Sequence, residues 1–365
     1  MQLTDLSTLL LFSIAAIGLT ISIVIYWQHL YRRTFRNLLL RLFLIMLCQA
    51  LALMSIGLQV NRANSFFESW NDLFGTTSSY SSASVSSLAN MKITKSELNK
   101  SEKLPFQARM VRNVIIGENS KVTNVVYLYL PHSAAAEISK GHGLGKNRYR
   151  VVEFLTGFPS QPEMWVNVLA IDQVLALYNE SHVGHEIIGV IPQVNIAGRY
   201  DLECMNLPGN KAAAETWLSE DMHTYVAAKL GIPQARWGIM GVSTGGWCSA
   251  MLSIRHPDLY SAAVSIAGYY RPALPLSYPK KLQDAMTVKY DLDKAESNLS
   301  SVQKIYLTAS LGDKYSIRET RKFLAKEHPH LKITFHELPS GGHNSRVWVS
   351  LIPGAFDWLQ RNISV

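Results

Sequence analysis

Charged residues are scarce in this 365-residue chain: Asp, Glu, Lys and Arg together make 17%, against 48% hydrophobic residues. That balance excludes a disordered chain, which lacks the apolar surface to build a core, and it leaves ample length for one. No Gly-X-Y period is present, so a collagen-like chain is excluded too. Acidic residues are the minority sign, 27 against 35 basic, for a net charge of +8. Of that excess, +3 falls in residues 1–60, where Asp5 stands against Arg32, Arg33, Arg36 and Arg41. The rest is diffuse, and no RNP-like, zinc-finger or basic-helix pattern accompanies it, so nucleic acid is not an expected partner. Metal-ligand spacing is missing as well. His182 and His185 lie near Glu180 and Glu186 but form no H-E-x-x-H arrangement. Neither a Walker A loop nor a G-x-G-x-x-G after a strand occurs. No cofactor and no metal are implied.

Long hydrophobic runs, by contrast, are present. Leu6–Trp27 holds 22 residues without a charge, and Leu42–Val60 holds another 19. The first would span about 33 Å as a helix, enough for a bilayer core. Met1–Asp5 has no basic region and no A-x-A site follows the run, which argues against a cleavable signal peptide. The short connection carries His29, Arg32, Arg33 and Arg36, with Arg41 at the edge of the second run. Basic residues concentrate in short cytoplasmic loops. The expectation is a two-helix anchor over residues 1–60, in a cell membrane, with the remainder of the chain on the extracytoplasmic side. In Asn61–Phe74, Phe66, Trp70 and Phe74 recur every four residues, as in a helix lying in the headgroup region or packed on the globular domain. Gly75–Asn90 is uncharged and crowded with Ser and Thr, as a flexible tether is. Residues 61–105 are therefore read as a membrane-proximal segment and linker, and 106–365 as the globular domain.

From Phe106 onward the pattern alternates. Arg109–Ile116 and Val122–Leu130 are rich in β-branched and aromatic residues and predict strands. Pro131–Lys146, with Gly141, Gly143 and Gly145, predicts a loop. Short apolar runs follow at Arg150–Leu155, Glu186–Ile191, Trp237–Met240, Ala262–Ile266, Lys304–Ala309 and Ile333–Leu338. Between them Ala214–Leu230, Ser243–His256, Ile317–Lys326 and Val347–Arg361 have helical spacing. Such alternation predicts an α/β fold: a mostly parallel sheet with helices on both faces. Chemistry in such sheets collects at the carboxyl ends of the strands.

One segment carries that chemistry. Trp237–Met240 reads as a strand, Gly241-Val242-Ser243-Thr244-Gly245-Gly246 follows, and a helix-forming run ends near His256-Pro257. This is G-x-S-x-G in the strand–turn–helix setting that exposes a serine nucleophile. A serine needs a base, and the base an orienting acid, in the chain order Ser, acid, His. Asp313 follows the strand Lys304–Ala309, and His343, behind Gly341 and Gly342, follows Ile333–Leu338. Asp291 and Asp293 are rival acids, in a polar stretch with no strand before them. Two backbone N–H groups must face the developing oxyanion. Thr244 supplies one, and the turn Leu155-Thr156-Gly157-Phe158-Pro159 supplies the other, from Phe158.

These residues resemble the putative-esterase family of α/β-hydrolases, which includes esterase D and the antigen 85 mycolyltransferases, and within it the membrane-anchored, actinobacterial-type members. The likeness rests on Phe154–Pro159, Asp201–Cys204, Glu215–Leu218, Gly241–Cys248 and Gly341–Asn344. It implies an α/β-hydrolase fold with Ser243 as nucleophile, His343 as base and Asp313 as acid, and oxyanion donors at Phe158 and Thr244. It also implies an acyl-ester or lipid substrate, with hydrolysis or transfer to a sugar or lipid hydroxyl as the outcome. A catalytically silent adhesion or envelope-binding domain on the same fold is the alternative of a different class. Of the three cysteines, Cys48 lies within the second apolar run. Cys204 and Cys248 fall in the external domain, where an oxidising compartment permits a bridge; two buried thiols are the other reading.

Overall fold

The computed structural model describes Leu3 and residues 5–30, 34–64, 102–103, 107–144, 148–197, 200–209 and 213–363. The described chain divides into two compact units. One contains the long N-terminal helices together with the loops Ser310–Tyr315 and Pro339–Asn344; the other contains the sheet and the helices that cover it.

In the first unit, α1 (Leu6–Ile25) is followed by the short α2 (Trp27–Leu30) and by α3 (Phe35–Asn64). Both long helices are apolar enough to cross a membrane, with mean hydropathy of 2.5 and 2.2. Their apolar side chains face outward: Ile14, Val24 and Leu53 are each about two thirds exposed. In water such exposure would be costly, at roughly 25 cal/mol per Å², and it suits lipid. Thr20 and Cys48 meet across the pair at 3.0 Å, so α1 and α3 form a hairpin. The second helix starts earlier than its uncharged run suggests. Asn37–Leu40 is helix-forming and links Arg36 and Arg41 to the apolar stretch, so both arginines lie within α3 rather than in a connecting loop. The stripe of Phe66, Trp70 and Phe74 and the hydroxyl-rich segment 75–90 lie outside the described residues.

The second unit is built on a nine-stranded mixed sheet of order β1-β2-β3-β5-β4-β6-β7-β8-β9. Its strands are β1 (Glu102–Lys103), β2 (Arg109–Ile116), β3 (Thr123–Leu130), β4 (Arg150–Leu155), β5 (Ile187–Pro192), β6 (Trp237–Val242), β7 (Tyr260–Ile266), β8 (Gln303–Ser310) and β9 (Leu331–Leu338). The first three are antiparallel, and β3 also pairs antiparallel with β5. From β5 through β4, β6 and β7 to β8 the pairing is parallel. Strands β4, β5 and β6 are buried along their whole length, which is why they read as continuous apolar runs rather than alternations.

Helices cover both faces. One core layer places Trp217, Met222, Trp247, Met251 and Phe323 over Val151, Ile188 and Ile239; the other places Trp165, Leu175, Ile352 and Phe356 over Val152, Phe154 and Met240. The segment 131–146, expected as a loop, begins with the helix α4 (His132–Ser139). Ala134, Ala135, Ala136 and Glu137 favour a helix strongly enough to override the glycines that follow. The helices α5 (Glu163–Asn167) and α6 (Ile171–Ser181) come next. The stretch expected as one helix over Ala214–Leu230 contains a π-helical turn at Trp217–Asp221 ahead of α7 (Met222–Leu230). Then come α8 (Thr244–Arg255), α9 (Lys280–Lys289), α10 (Leu292–Glu296), α11 (Lys314–Leu324) and α12 (Ser345–Asn362).

One acid interrupts the central strands. Glu153, fully buried on β4, accepts a hydrogen bond from Tyr260 Oη at 2.7 Å and lies 3.3 Å from His223 Nε2. A carboxyl buried without partners would be costly. Here the phenol and the imidazole supply them at one carboxyl oxygen, Oε2.

Candidate active site

The turn after β6 is tight because glycine leaves no room for anything else. A Cβ on Gly241 would lie 1.9 Å from Gly245 O, and one on Gly245 would lie 2.2 Å from Leu155 O. Gly246 packs on Gly268 and Ser265, where a Cβ would come within 3.0 Å of both. The glycines of G-x-S-x-G-G thus bring the start of α8 directly against β4 and the end of β7. Between them Ser243 is held at φ 57°, ψ −122°, a strained conformation for a residue with a side chain. Its N–H donates to Ile266 O at 2.9 Å, and its carbonyl accepts from Gly246 N at 2.8 Å. The strain is therefore fixed on both sides by backbone hydrogen bonds.

Thr244 is the first residue of α8. The first N–H groups of a helix have no intrahelical acceptor, and they carry the positive end of its dipole. The turn after β4 lies alongside. A Cβ on Gly157 would meet Ser243 Cβ at 3.0 Å and Ser243 Oγ at 3.4 Å, so the Gly157-Phe158 backbone abuts the serine. This turn is braced from below: Asn195 Nδ2 donates to Ser160 O at 2.5 Å, and Ser160 N donates to Gly157 O at 2.9 Å.

Asp313 and His343 meet in the loops of the other unit. Asp313 follows β8 and is 1% exposed; His343 follows β9. Their contact is short, Nδ1 to Oδ2 at 2.6 Å. A carboxylate only accepts, so Nδ1 carries the proton and Nε2 the lone pair. The loops are also tied by Ser310, whose hydroxyl donates to Gly341 O at 2.6 Å and accepts from Gly312 N at 3.2 Å. Gly341 adopts φ +118°, which a side chain would resist, two residues before the imidazole. The rival acids have other work. Asp291 caps α10 by accepting from the N–H of Asp293 and Lys294, and Asp293 pairs with Lys326.

Two buried acids, Glu203 and Glu215, were not singled out for chemistry by sequence alone, and the bridge that the sequence left open is formed beside the first. Cys204 and Cys248 are bridged, with Cα atoms 5.8 Å apart, fastening the segment Asp201–Met205 to α8. Glu203, 2% exposed, accepts from Tyr269 Oη at 2.8 Å and from Ala273 N at 2.6 Å. Burial pushes its carboxyl up to about 8, with the nearby Asp201 adding to the rise; burial likewise lifts Asp201 to about 6. Elsewhere Glu215 receives Arg255 Nε at 2.7 Å and Tyr290 Oη at 2.6 Å, with His256 Nε2 at 3.0 Å. Burial pushes Glu215 up, but these hydrogen bonds outweigh it and hold the carboxyl at about 2. Only the sequence D-L-E-C hinted at the first group, and nothing local to Glu215 announces three partners 40 to 75 residues away.

A mixed sheet sandwiched by helices, with a strained serine between β6 and α8, defines a serine hydrolase of the α/β-hydrolase type. The chain belongs to the Putative esterase family, which it matches over residues 125–359. Solved structures with the same fold include a ferulic acid esterase (18% identity, 70% of this chain and 98% of that one, TM-score 0.55). They also include an S-formylglutathione hydrolase from Agrobacterium tumefaciens (14% identity, 71% and 97%, TM-score 0.55). A third is a fluorophosphonate-binding serine hydrolase of Staphylococcus aureus (16% identity, 69% and 98%, TM-score 0.54). Among curated proteins, an uncharacterized protein of Corynebacterium glutamicum is 23% identical over 225 residues, 58% of this chain. This chain covers about half of that relative, 52% of its length.

Proposed function

We propose that this protein is a membrane-anchored serine esterase that cleaves acyl esters outside the cytoplasm through Ser243, His343 and Asp313. The observation that supports it most is the Asp313–His343 pairing at 2.6 Å, which fixes the tautomer a general base requires. His343 Nε2 removes the Ser243 proton as Oγ attacks the acyl carbonyl. The resulting oxyanion accepts from the N–H groups of Phe158 and Thr244. Collapse expels the alcohol, protonated by His343, and leaves an acyl-serine. Water, deprotonated by His343, then releases the acid. A sugar or lipid hydroxyl in place of water gives transfer with the same residues. No step needs a metal or a cofactor.

Residues 1–60 are the anchor and 106–365 the catalytic domain in this reading, with 61–105 between them. The apolar α1–α3 hairpin supports the anchoring. Arginines near the connection support an inward-facing loop, and the Cys204–Cys248 bridge supports an oxidising compartment for the domain. The test is fluorophosphonate labelling and ester turnover of the full chain in detergent, beside Ser243→Ala and Asp313→Asn. Wild type should label, Ser243→Ala should not, and Asp313→Asn should lose about 10⁴-fold in kcat. Labelling of neither folded wild type nor variant would favour a silent binding domain. Equal labelling of both would refute Ser243 as nucleophile.

A further inference from the structure

Glu203 is a buried acid that the triad does not use, on a segment the fold goes to some length to hold. Glu203 and Cys204 are consecutive non-glycine residues at φ 49° and 57°, and left-handed residues of this kind persist only where the surroundings over-determine them. Three contacts do so here. The Cys204–Cys248 bridge joins the segment to α8. Trp247 Nε1 donates to Glu203 O at 3.1 Å. Tyr269 donates to the Glu203 carboxyl and receives a hydrogen bond from the Thr244 side chain, while its ring stacks on Trp247 at 6.1 Å. The path from Glu203 to the first residue of α8 is thus two hydrogen bonds long.

We infer that Glu203 is a positioning residue for the oxyanion site, acting through Tyr269 on Thr244. This rests on the reading of Thr244 as an oxyanion donor. In its neutral form the carboxyl anchors Tyr269 and Ala273 without putting a negative charge behind the end of α8 where the oxyanion develops. Once ionised, it opposes that oxyanion through a poorly screened interior. The titratable groups around it are Asp201 on its own segment and Tyr269 after β7, with Tyr200 and Tyr278 beyond Asp201. Burial lifts Glu203 to about 8, so turnover should decline as pH rises through that value.

The experiment compares wild type, Glu203→Gln, Glu203→Ala and Tyr269→Phe. It reads kcat and KM on a p-nitrophenyl acyl ester from pH 6 to 10, together with fluorophosphonate labelling rates. Glu203→Gln cannot ionise; it should keep neutral-pH kcat within about threefold and lose the alkaline decline. Glu203→Ala and Tyr269→Phe should lower kcat at least tenfold with KM within twofold. An alkaline decline unchanged in Glu203→Gln would overturn the inference, as would full kcat in Tyr269→Phe should Glu203→Ala not fold. Absence of labelling in wild type is a different result: it would refute the triad itself.

Discussion

Replacing Gly157 by alanine tests whether the turn after β4 forms one wall of the reaction site. The backbone at Gly157 lies outside the left-handed region, so the substitution adds a methyl group without a conformational penalty. That methyl would sit 3.0 Å from Ser243 Cβ and 3.2 Å from Val242 O. Carbon atoms rest at about 3.5–4.0 Å, so the overlap is at least half an ångström. Neither neighbour can retreat. Val242 O is backbone, and Ser243 is held by Ile266 O and by the interlocked Gly241 and Gly245. The Gly157-Phe158 turn must therefore move, and with it the N–H of Phe158. Overpacking of this kind costs about 1–3 kcal/mol of stability, and displacement of a catalytic group by 1 Å costs about 10²-fold. The expected outcome is a kcat lowered about 10- to 100-fold with a lowered but cooperative thermal unfolding transition. Gly354→Ala is the control: its Cβ meets nothing within 4 Å on α12, and activity should be unchanged. If Gly157→Ala kept its kcat within twofold and its Tm, Phe158 would not be an oxyanion donor.

Two further outcomes follow from the packing behind the serine and from the Glu215 cluster. Cys204 and Cys248 are 44 residues apart, so Cys204→Ser with Cys248→Ser should lower unfolding stability by about 2–4 kcal/mol in denaturant titrations. An unchanged midpoint with an unchanged slope would refute that. Glu215, held at about 2 in the fold against an ordinary 4.5, contributes stability that is complete above the unfolded value and lost as pH falls toward 2. The contribution is about 3 kcal/mol. Glu215→Gln should flatten the decline of stability between pH 4.5 and 2, and a slope identical to wild type would contradict the assignment.

Much of this architecture was legible because burial leaves a plain record in sequence. Strands buried on both faces, such as β4, β5 and β6, show as short apolar runs. The G-x-S-x-G-G signature was readable because its glycines have no substitute at contacts of 1.9 and 2.2 Å. Illegible were the features set by distant partners. The α4 helix was hidden by three glycines beyond its end, and α5 is too short to show a period, although α6 carries one in Ile171, Val174, Leu175 and Tyr178. Glu153 looked like an ordinary strand residue, although its burial depends on Tyr260, 107 positions away. Glu203 was visible only as part of D-L-E-C; its role depends on Tyr269 and Ala273, which nothing in the local pattern connects to it.

Where the backbone departs from the ordinary regions also argues for function. Eight non-glycine residues among those described have positive φ. Four of them, Glu203, Cys204, Ser243 and Ala267, lie on the segments that enclose the start of α8, and each is locked rather than loose. Ser243 and Ala267 donate backbone hydrogen bonds to Ile266 O and Thr308 O, on β7 and β8. Cys204 is covalently bound, and Glu203 is held through its carbonyl and both carboxyl oxygens. Strain at a turn on the surface relaxes at little cost; strain inside a packed layer persists only while every neighbour holds its place. The bridge and the buried acid therefore belong to the same device as the glycines. They keep the turn at Ser243 from relaxing, and loosening them should reduce turnover before it unfolds the domain.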